Sequence, residues 1–314
     1  MKSKVRRKFS VVGLFAPLLF CLVDAEAQKQ KEDKQKDEAR QVKVKLRVAV
    51  VDDKSHLVEN LGKEHLSVYE NGIKQTIESI RYDQGPLSLG IVADTSGSMR
   101  AHLGLITSII KNLTKLLGSE DEIFLAQFKA EAELLQEFTR NKSEIEKALE
   151  SLYTSGGTGL LDAVIATADY AHKHGKNRHK ALVFITDVME KNSGTDFKKA
   201  AKALEDDDVE LYILTLPYLV EDRSSQFKKL MKNEQMMIRL ADHSGGEAFF
   251  PESLDVLKDA LIKVVKAIQS PYLVNYSSTE QTRDGKLRNI RVEAQMKDGS
   301  KLTTYSREGY FAIK

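Results

Sequence analysis

The chain has 314 residues, 30% of them charged, with a formal net charge of +2 and one cysteine, Cys21. A single cysteine excludes an internal disulfide and a zinc site built from thiolates. Five basic and two acidic residues lie within the first 27 positions, so a chain without them has a net charge of −1. The positive charge therefore belongs to this N-terminal segment, which removes the main argument for nucleic-acid binding.

Residues 1–27 read as a secretory signal peptide. A basic start is followed by the apolar stretch Val11–Val23, which is too short to span a bilayer comfortably, and by the small-residue cleavage pattern Ala25-Glu26-Ala27. An uncleaved anchor is the alternative. Residues 28–40 form a charged linker, predicted to act as a spacer. We expect an exported protein, periplasmic or secreted, with no membrane span in the mature chain.

Residues 41–85 form an N-terminal β segment. Val42–Val51 alternates apolar and polar residues, with the two-residue period of a half-buried strand. Leu66–Glu70 and Ile73–Ile80 are two further predicted strands, and Asn71-Gly72 between them is a hairpin signal. At about 45 residues, such a segment is marginal as an independent core.

Residues 86–270 alternate predicted strands and helices, a pattern that indicates an α/β domain with a doubly wound, mostly parallel, six-stranded sheet. The predicted strands are Leu87–Ala93, Glu122–Phe128, Glu133–Leu135, Ala181–Thr186, Val209–Leu216 and Glu247–Phe250. The predicted helices are Ser98–Leu117, Ser143–Leu152, Leu161–His174, Asp196–Leu204, Ser225–Ser244 and Leu254–Gln269.

Residues 271–314 form a C-terminal β segment. Its predicted strands and turns are Tyr272–Tyr276, Asp284-Gly285, Leu287–Met296, Asp298-Gly299 and Lys301–Ser306. Neither terminal segment makes a convincing sandwich alone. We therefore expect them to pair into one small antiparallel β-domain, with the α/β domain inserted between them; two separate modules are the alternative.

Three loops of the predicted α/β domain carry oxygen-bearing side chains. Asp94-Thr95-Ser96-Gly97-Ser98 follows the first strand, Thr158 lies within a glycine-rich segment, and Asp187 ends the strand Ala181–Thr186. Carboxyl ends of parallel strands are where open α/β sheets bind ligands, and hard oxygen ligands suit a small divalent cation. Each of these side chains alone is better explained as a helix N-cap. Together, on three loops, they favour a metal site.

These segments resemble the metal-ion-dependent adhesion site of the von Willebrand factor A family. The closest group is its secreted bacterial proteins, which share the marks Val68–Gly72 and Gly309-Tyr310. The resemblance implies that Ser96 and Ser98 bind the cation directly, that Asp94 and Asp187 act through water, and that Thr158 does either. It further implies Mg²⁺, with Mn²⁺ or Ca²⁺ as alternatives, and one open position for an Asp or Glu of a partner protein.

The function expected from this resemblance is metal-dependent protein binding or adhesion without catalysis. Met99, Arg100, Gly157 and Val188 are predicted to form the rim that contacts the partner. The alternatives are an exported metal-dependent hydrolase and a structural domain with a vestigial site.

Val188 is a departure, because the family usually has glycine there and a β-branched residue tolerates positive φ poorly. We therefore expect the loop from Asp187 to Glu190 to follow a different path. Glu190 could be a further outer-shell carboxylate, although a solvated loop glutamate explains it better. His172, His174 and His179 could form a zinc site, although a solvated helix end explains them better.

Overall fold

The computed structural model describes residues 42–54, 56–83, 85–190, 193–217 and 225–312, with the backbone alone at 225–231 and 311. The predicted signal peptide and charged linker lie outside the described residues. The strands are β1 Lys43–Val51, β2 Leu66–Glu70, β3 Ile73–Gln75, β4 Ile77–Tyr82, β5 Leu87–Asp94, β6 Glu122–Phe128, β7 Ala132–Thr139, β8 His179–Thr186, β9 Val209–Thr215, β10 Ala248–Phe249, β11 Tyr272–Ser277, β12 Leu287–Gln295, β13 Lys301–Tyr305 and β14 Gly309–Phe311. The helices are α1 Leu103–Leu116, α2 Lys142–Ala148, α3 Leu160–His174, α4 Phe197–Asp206, α5 Ser225–Ser244 and α6 Leu254–Ile268.

Strands β5 to β10 form a six-stranded mixed sheet in the order β10-β9-β8-β5-β6-β7. Neighbouring strands are parallel except β7, which is antiparallel to β6. Helices α1, α2 and α6 pack on one face and α3, α4 and α5 on the other. The prediction of a doubly wound, mostly parallel sheet of six strands is confirmed.

The central strand β5 is buried along its whole length because both faces of the sheet are covered. Leu89 and Ile91 point into the core under α1 and α6, whereas Val92 points into the core under α3. Gly90 leaves room for a neighbouring ring, since a Cβ at this position would lie 2.3 Å from the Phe124 side chain. Strand β5 is therefore held in one register, and that register places its last residue at the carboxyl edge.

The remaining strands form an antiparallel sheet in the order β3-β2-β12-β13-β1-β11-β4, with β14 beside β12. Strand β1 pairs with β11 through Lys43–Val48 and with β13 through Ala49–Val51. Strand β2 pairs with β12. Strands from the two ends of the chain thus alternate within one sheet, and their apolar side chains share one core.

Three local features of this sheet differ from the predictions. The single strand predicted at Ile73–Ile80 is broken at Thr76 into β3 and β4, which pair with different neighbours. Asp284-Gly285 is not a hairpin turn, because β11 and β12 lie apart in the sheet. Gly309–Phe311 forms the unpredicted strand β14. By contrast, the predicted turn at Asp298-Gly299 joins β12 to β13.

The two sheets are connected by short links and buried ion pairs. Strands β4 and β11, which flank the α/β part, are neighbours, and Asp83 N donates to Pro271 O at 2.7 Å. Arg47 of β1 binds Glu210 of β9 at 2.8 Å. Arg307, after β13, binds Asp242 of α5 at 3.1 Å. Among the described residues, no helix is both long and apolar enough to cross a bilayer.

Candidate metal centre

The carboxyl ends of β5 and β8 lie side by side at one edge of the mixed sheet. Their parallel pairing reaches Ala93 and Ile185, so the next residues along each strand, Asp94 and Thr186, are adjacent. The Thr186 hydroxyl donates to Asp94 Oδ2 at 2.7 Å. Asp187 follows directly and is 7% exposed. Two of the predicted site residues, Asp94 and Asp187, are therefore brought to one place by strand register.

Ser96 and Ser98 lie in the turn that follows β5. The Ser96 backbone N–H donates to Asp94 Oδ1 at 2.9 Å, which fixes the start of the turn. The two serine hydroxyl oxygens are 3.1 Å apart. Ser96 is buried whereas Ser98 is exposed, so the hydroxyl pair lies where the buried edge meets solvent.

The glycine-rich segment around Thr158 lies against this turn. Ser155 pairs with Ser96 in a parallel bridge, and Ser155 N donates to Thr95 O at 3.1 Å. Gly157 has φ +89° and packs on Ala130, where a Cβ would lie 2.9 Å from the alanine Cβ. Thr158 itself is buried. The second predicted loop is therefore held beside the first, with its threonine at the same edge.

The carboxylate of Asp94 is in an unfavourable environment when no cation is bound. Burial raises the pKa of Asp94, and the neighbouring charge of Asp187 raises it further. Hydrogen bonds from Thr186 and Ser96 lower it, but the net result is a pKa of about 6, above the ordinary value. A bound divalent cation would reverse the balance, because it favours the ionised carboxylate.

Val188 adopts the backbone conformation that a glycine would favour. Its φ is +51°, and its side chain is fully buried beneath the loop. Val188 N donates to Thr186 Oγ1 at 2.9 Å, which ties the residue to the hydroxyl that holds Asp94. The prediction that valine would divert this loop is therefore wrong. Val188 adopts the left-handed backbone conformation, and burial of its side chain compensates for the backbone strain.

The loop after Asp187 is fastened to the N-terminus of α3. Glu190 Oε2 accepts from Leu161 N at 3.1 Å and from Ser193 Oγ at 2.7 Å. Ser193 Oγ also accepts from Leu161 N at 3.0 Å, and Asp162 Oδ2 accepts from Gly194 N at 2.7 Å. Glu190 is thus a capping group and not a solvated side chain. These contacts join the loop of Asp187 to the helix that follows Thr158.

The predicted rim is only partly correct. Met99 is 1% exposed and packs in the core with α1, because the turn at Gly97–His102 directs it inward. Val188 is buried as described above. Neither side chain can contact a partner. Arg100 is exposed and Gly157 is half-buried, so a rim position for these two residues stays a prediction.

Sequence reasoning missed Thr186 and Ser193 and assigned Glu190 to solvent, whereas all three support the site through hydrogen bonds. A threonine directly before Asp187 was visible in the sequence. Its role depends on strand order, however, because Asp94 and Thr186 meet only when β8 lies next to β5.

The other groups considered as metal sites do not assemble. His179 is buried in β8 and contacts Glu210 at 3.2 Å, whereas His172 is exposed and contacts Asp207. Among the described residues, no three side chains of His, Cys, Asp or Glu cluster as a metal centre. A cavity of about 500 Å³ between α6 and β13 contains none of the predicted site residues.

The groups at the carboxyl edge fit a hard divalent cation. They combine two neighbouring carboxylates, of Asp94 and Asp187, with hydroxyls from Ser96 and Ser98 and, on the adjoining loop, Thr158. Only two of these five groups are charged, so a divalent cation would keep its attraction for an acidic ligand. The pairing of the buried Asp94 carboxylate with the neighbouring Asp187 carboxylate is the observation that most favours a cation here.

Residues 89–190, about a third of the chain, match the family model described as von Willebrand factor type A domain. No curated protein sequence matches the chain. Among solved structures, it is similar to an aerotolerance-related membrane protein from Bacteroides fragilis, with 20% identity, 58% of this chain and 98% of that one covered, and a TM-score of 0.46. It is also similar to the vWF domain of the type V pili tip protein Mfa5 from Porphyromonas gingivalis. The identity is 10%, the match covers 58% of this chain and 97% of that one, and the TM-score is 0.43. A third similar structure is proximal thread matrix protein 1 from the mussel byssus, described with a zinc-occupied MIDAS motif. The identity is 15%, the match covers 64% of this chain and 50% of that one, and the TM-score is 0.47.

Proposed function

Since residues 89–190 form a von Willebrand factor type A domain, we propose that this chain binds a divalent cation at the carboxyl edge of its mixed sheet and, through it, a partner protein. The observation that carries the proposal is the fully buried Asp94 carboxylate, which lies beside Asp187 and is hydrogen-bonded to Ser96, whose hydroxyl contacts that of Ser98. A cation stabilises this arrangement of like charges. The cation we propose is Mg²⁺, with Mn²⁺ and Ca²⁺ as alternatives.

Each part of the site has a separate role in this proposal. Ser96, Ser98 and Thr158 would supply neutral oxygen ligands, and Asp94 and Asp187 would supply the negative charge. Thr186 keeps Asp94 in place through its 2.7 Å hydrogen bond. When bound, the cation supplies a positive centre for an Asp or Glu side chain of the partner.

A binding role is proposed over a hydrolytic one. In the described structure Ser96 contacts the Ser98 hydroxyl, and it contacts the Asp94 carboxylate through both its backbone N–H and its side chain. Two serine hydroxyls beside a buried carboxylate suit the oxygen ligands of a hard cation. Metal-dependent turnover of an ester, phosphate or peptide substrate would support the hydrolytic alternative instead. Export by the predicted signal peptide at residues 1–27 would place the site outside the cytoplasm, where it could act in adhesion.

The test is the thermal stability of the native protein and of the Ser96→Ala/Ser98→Ala variant in millimolar Mg²⁺ and in EDTA. We expect Mg²⁺ to raise the Tm of the native protein, because a ligand that binds only the folded state stabilises it. The double variant should keep its Tm in EDTA and lose the response to Mg²⁺. Ser108→Ala, on the exposed face of α1, is the matched control and should respond like the native protein.

A pull-down from exported proteins, with and without Mg²⁺, tests the partner. A set of partners that is identical for the native protein and the double variant, in Mg²⁺ and in EDTA, would show that the cation does not mediate binding. An unchanged Tm of the native protein across Mg²⁺, Mn²⁺ and Ca²⁺ would favour a vestigial site.

A further inference from the structure

A chain of polar contacts leads from the first metal loop to an exposed aromatic side chain. Thr95, which lies between Asp94 and Ser96, donates from its hydroxyl to Gln127 Oε1 at 3.2 Å. Gln127 Nε2 donates to Glu133 Oε2 at 2.9 Å. The same Glu133 oxygen accepts from Lys129 Nζ at 3.2 Å. The ends of β6 and β7 are therefore tied to the loop that would hold the cation.

Tyr153 lies at the end of this chain of contacts and is 51% exposed. Lys129, which is 8% exposed, places Nζ 3.5 Å from the centroid of the tyrosine ring. The Tyr153 backbone N–H donates to Gln127 Oε1 at 3.3 Å, and its hydroxyl donates to Glu133 Oε2 at 3.4 Å. The backbone, the hydroxyl and one ring face of Tyr153 are thus each fixed by a contact. An exposed ring that is already ordered loses little conformational entropy when it contacts a partner.

The position of Tyr153 places it in the rim of the proposed cation site. It precedes Ser155 by two residues, and Ser155 pairs directly with Ser96. Two residues of chain span at most roughly 7 Å. A side chain within that distance of Ser155 can contact a neighbour of the metal-bound residue of a partner.

The charge beneath the ring determines which partner side chain it can take. A cation on one face of an aromatic ring uses the negative potential of the π-system. A second cation on the other face would compete with Lys129 for the same negative potential of the ring, whereas an apolar or aromatic side chain would not. We propose that Tyr153 is a specificity-determining residue, which contacts an apolar or aromatic side chain adjacent to the metal-bound Asp or Glu of the partner. This inference rests on the proposed function.

The test is selection from a phage-displayed library of random heptapeptides on the purified protein in Mg²⁺, with EDTA as the reference. Asp or Glu should be enriched only in Mg²⁺, which reports on the proposed function. Among the peptides that contain Asp or Glu, apolar and aromatic neighbours should exceed their library frequency roughly three- to tenfold, the size expected for one aromatic contact. Basic neighbours should be depleted.

Three variants separate the role of the ring from that of the cation site. Tyr153→Ala should keep the Mg²⁺-dependent enrichment of Asp and Glu and lose the apolar bias. Tyr153→Phe, the matched control, should keep both. Lys129→Met should remove the depletion of basic neighbours. Each variant is first shown to keep the native Tm response to Mg²⁺, so that a folding defect is not mistaken for lost specificity.

The results that overturn the proposal are equally distinct. If Asp and Glu are enriched without any neighbour bias, or if Tyr153→Ala keeps that bias, Tyr153 is not the specificity residue and the cation site stands. If Asp and Glu are not enriched in Mg²⁺, the proposed function fails and this inference fails with it.

Discussion

Val188 combines two opposing contributions to stability within one residue. Its φ of +51° is unfavourable for an L-residue, by roughly 1–2 kcal/mol, while its fully buried side chain is favourable. Alanine removes most of the buried surface and keeps most of the strain, whereas glycine removes both. We therefore expect Val188→Gly to unfold at higher urea concentration than Val188→Ala, with a difference of about 1 kcal/mol.

This order is the reverse of the usual one, in which alanine is the more stable replacement at a helix or strand position. The matched control is Val183, in the middle of the buried strand β8. At this position Val183→Ala should be more stable than Val183→Gly. Equal midpoints for Val188→Gly and Val188→Ala would show that the left-handed conformation carries no measurable strain.

The sequence predicted the position of the candidate site better than its surroundings. Asp94, Ser96 and Asp187 could be placed from sequence because each follows an apolar strand, and a strand end can be recognised locally. Met99 was assigned to the surface because its orientation depends on the short turn at Gly97–His102, which replaces the first part of the predicted helix. Tyr153 was not singled out at all, because its contact with Lys129 joins two loops that the sequence does not bring together.

At the scale of elements, the two sequence marks at opposite ends of the chain meet in the antiparallel sheet. Glu70 of β2 is buried, and its Oε2 accepts from the hydroxyls of Tyr276 in β11 and Tyr310 in β14, at 3.0 and 3.1 Å. Its Oε1 accepts from Ser278 Oγ at 2.6 Å. Three neutral donors therefore satisfy one buried carboxylate, and they come from the C-terminal segment.

We expect Tyr310→Phe and Tyr276→Phe each to lower the free energy of unfolding by about 1–3 kcal/mol, the range for hydrogen bonds to charged groups. The double variant should lose more than the sum of the two single losses, since of the three donors described here Glu70 would then keep Ser278 alone. The measurement is urea unfolding at neutral pH. Tyr69→Phe in the same strand is the control and should change stability little, while strictly additive losses would contradict a shared carboxylate.

Element boundaries were predictable where hydrophobic period and turn residues agree. Strand β5 and helix α3 were placed within one residue at each end for this reason. Strand β3 was not separated from β4, and strand β14 was not predicted. Each has only three residues, which show no recognisable hydrophobic period, and their pairing depends on the rest of the sheet. The turn at Asp284-Gly285 has the residues of a hairpin, but the flanking strands join different neighbours.

At the scale of the whole molecule, the two sheets are joined by an ion pair that makes stability depend on pH. Burial raises the pKa of Glu210, but the charges of Arg47 and His179 lower it more, to about 2. A pKa lowered on folding stabilises the folded state at pH values above about 4.5, and this contribution is lost as the pH falls towards 2. By linkage it amounts to about 3 kcal/mol.

We expect Arg47→Met to lower the free energy of unfolding at pH 7 by about 3–5 kcal/mol, because it leaves Glu210 buried without its main partner. Between pH 4.5 and 2, the free energy of unfolding should fall much less for this variant than for the native protein. Urea unfolding at several pH values measures both effects. Lys45→Met, which removes an exposed ion pair with Asp208, is the control with an expected change below about 1 kcal/mol. Parallel pH profiles for native protein and Arg47→Met would contradict this assignment.

The chain leaves the antiparallel sheet for the α/β part at Asp83 and returns at Pro271, two residues joined by a backbone hydrogen bond of 2.7 Å. The α/β part is therefore a cassette whose two ends coincide in space. Joining its two ends directly would require a tight turn between Tyr82 and Tyr272, which already face each other across β4 and β11. An exchange of this cassette would keep the host strands intact, but the new cassette would have to supply partners for the buried Arg47 and Arg307. Recombination at these two ends would therefore replace the whole α/β part in one step, without interrupting a strand of the antiparallel sheet.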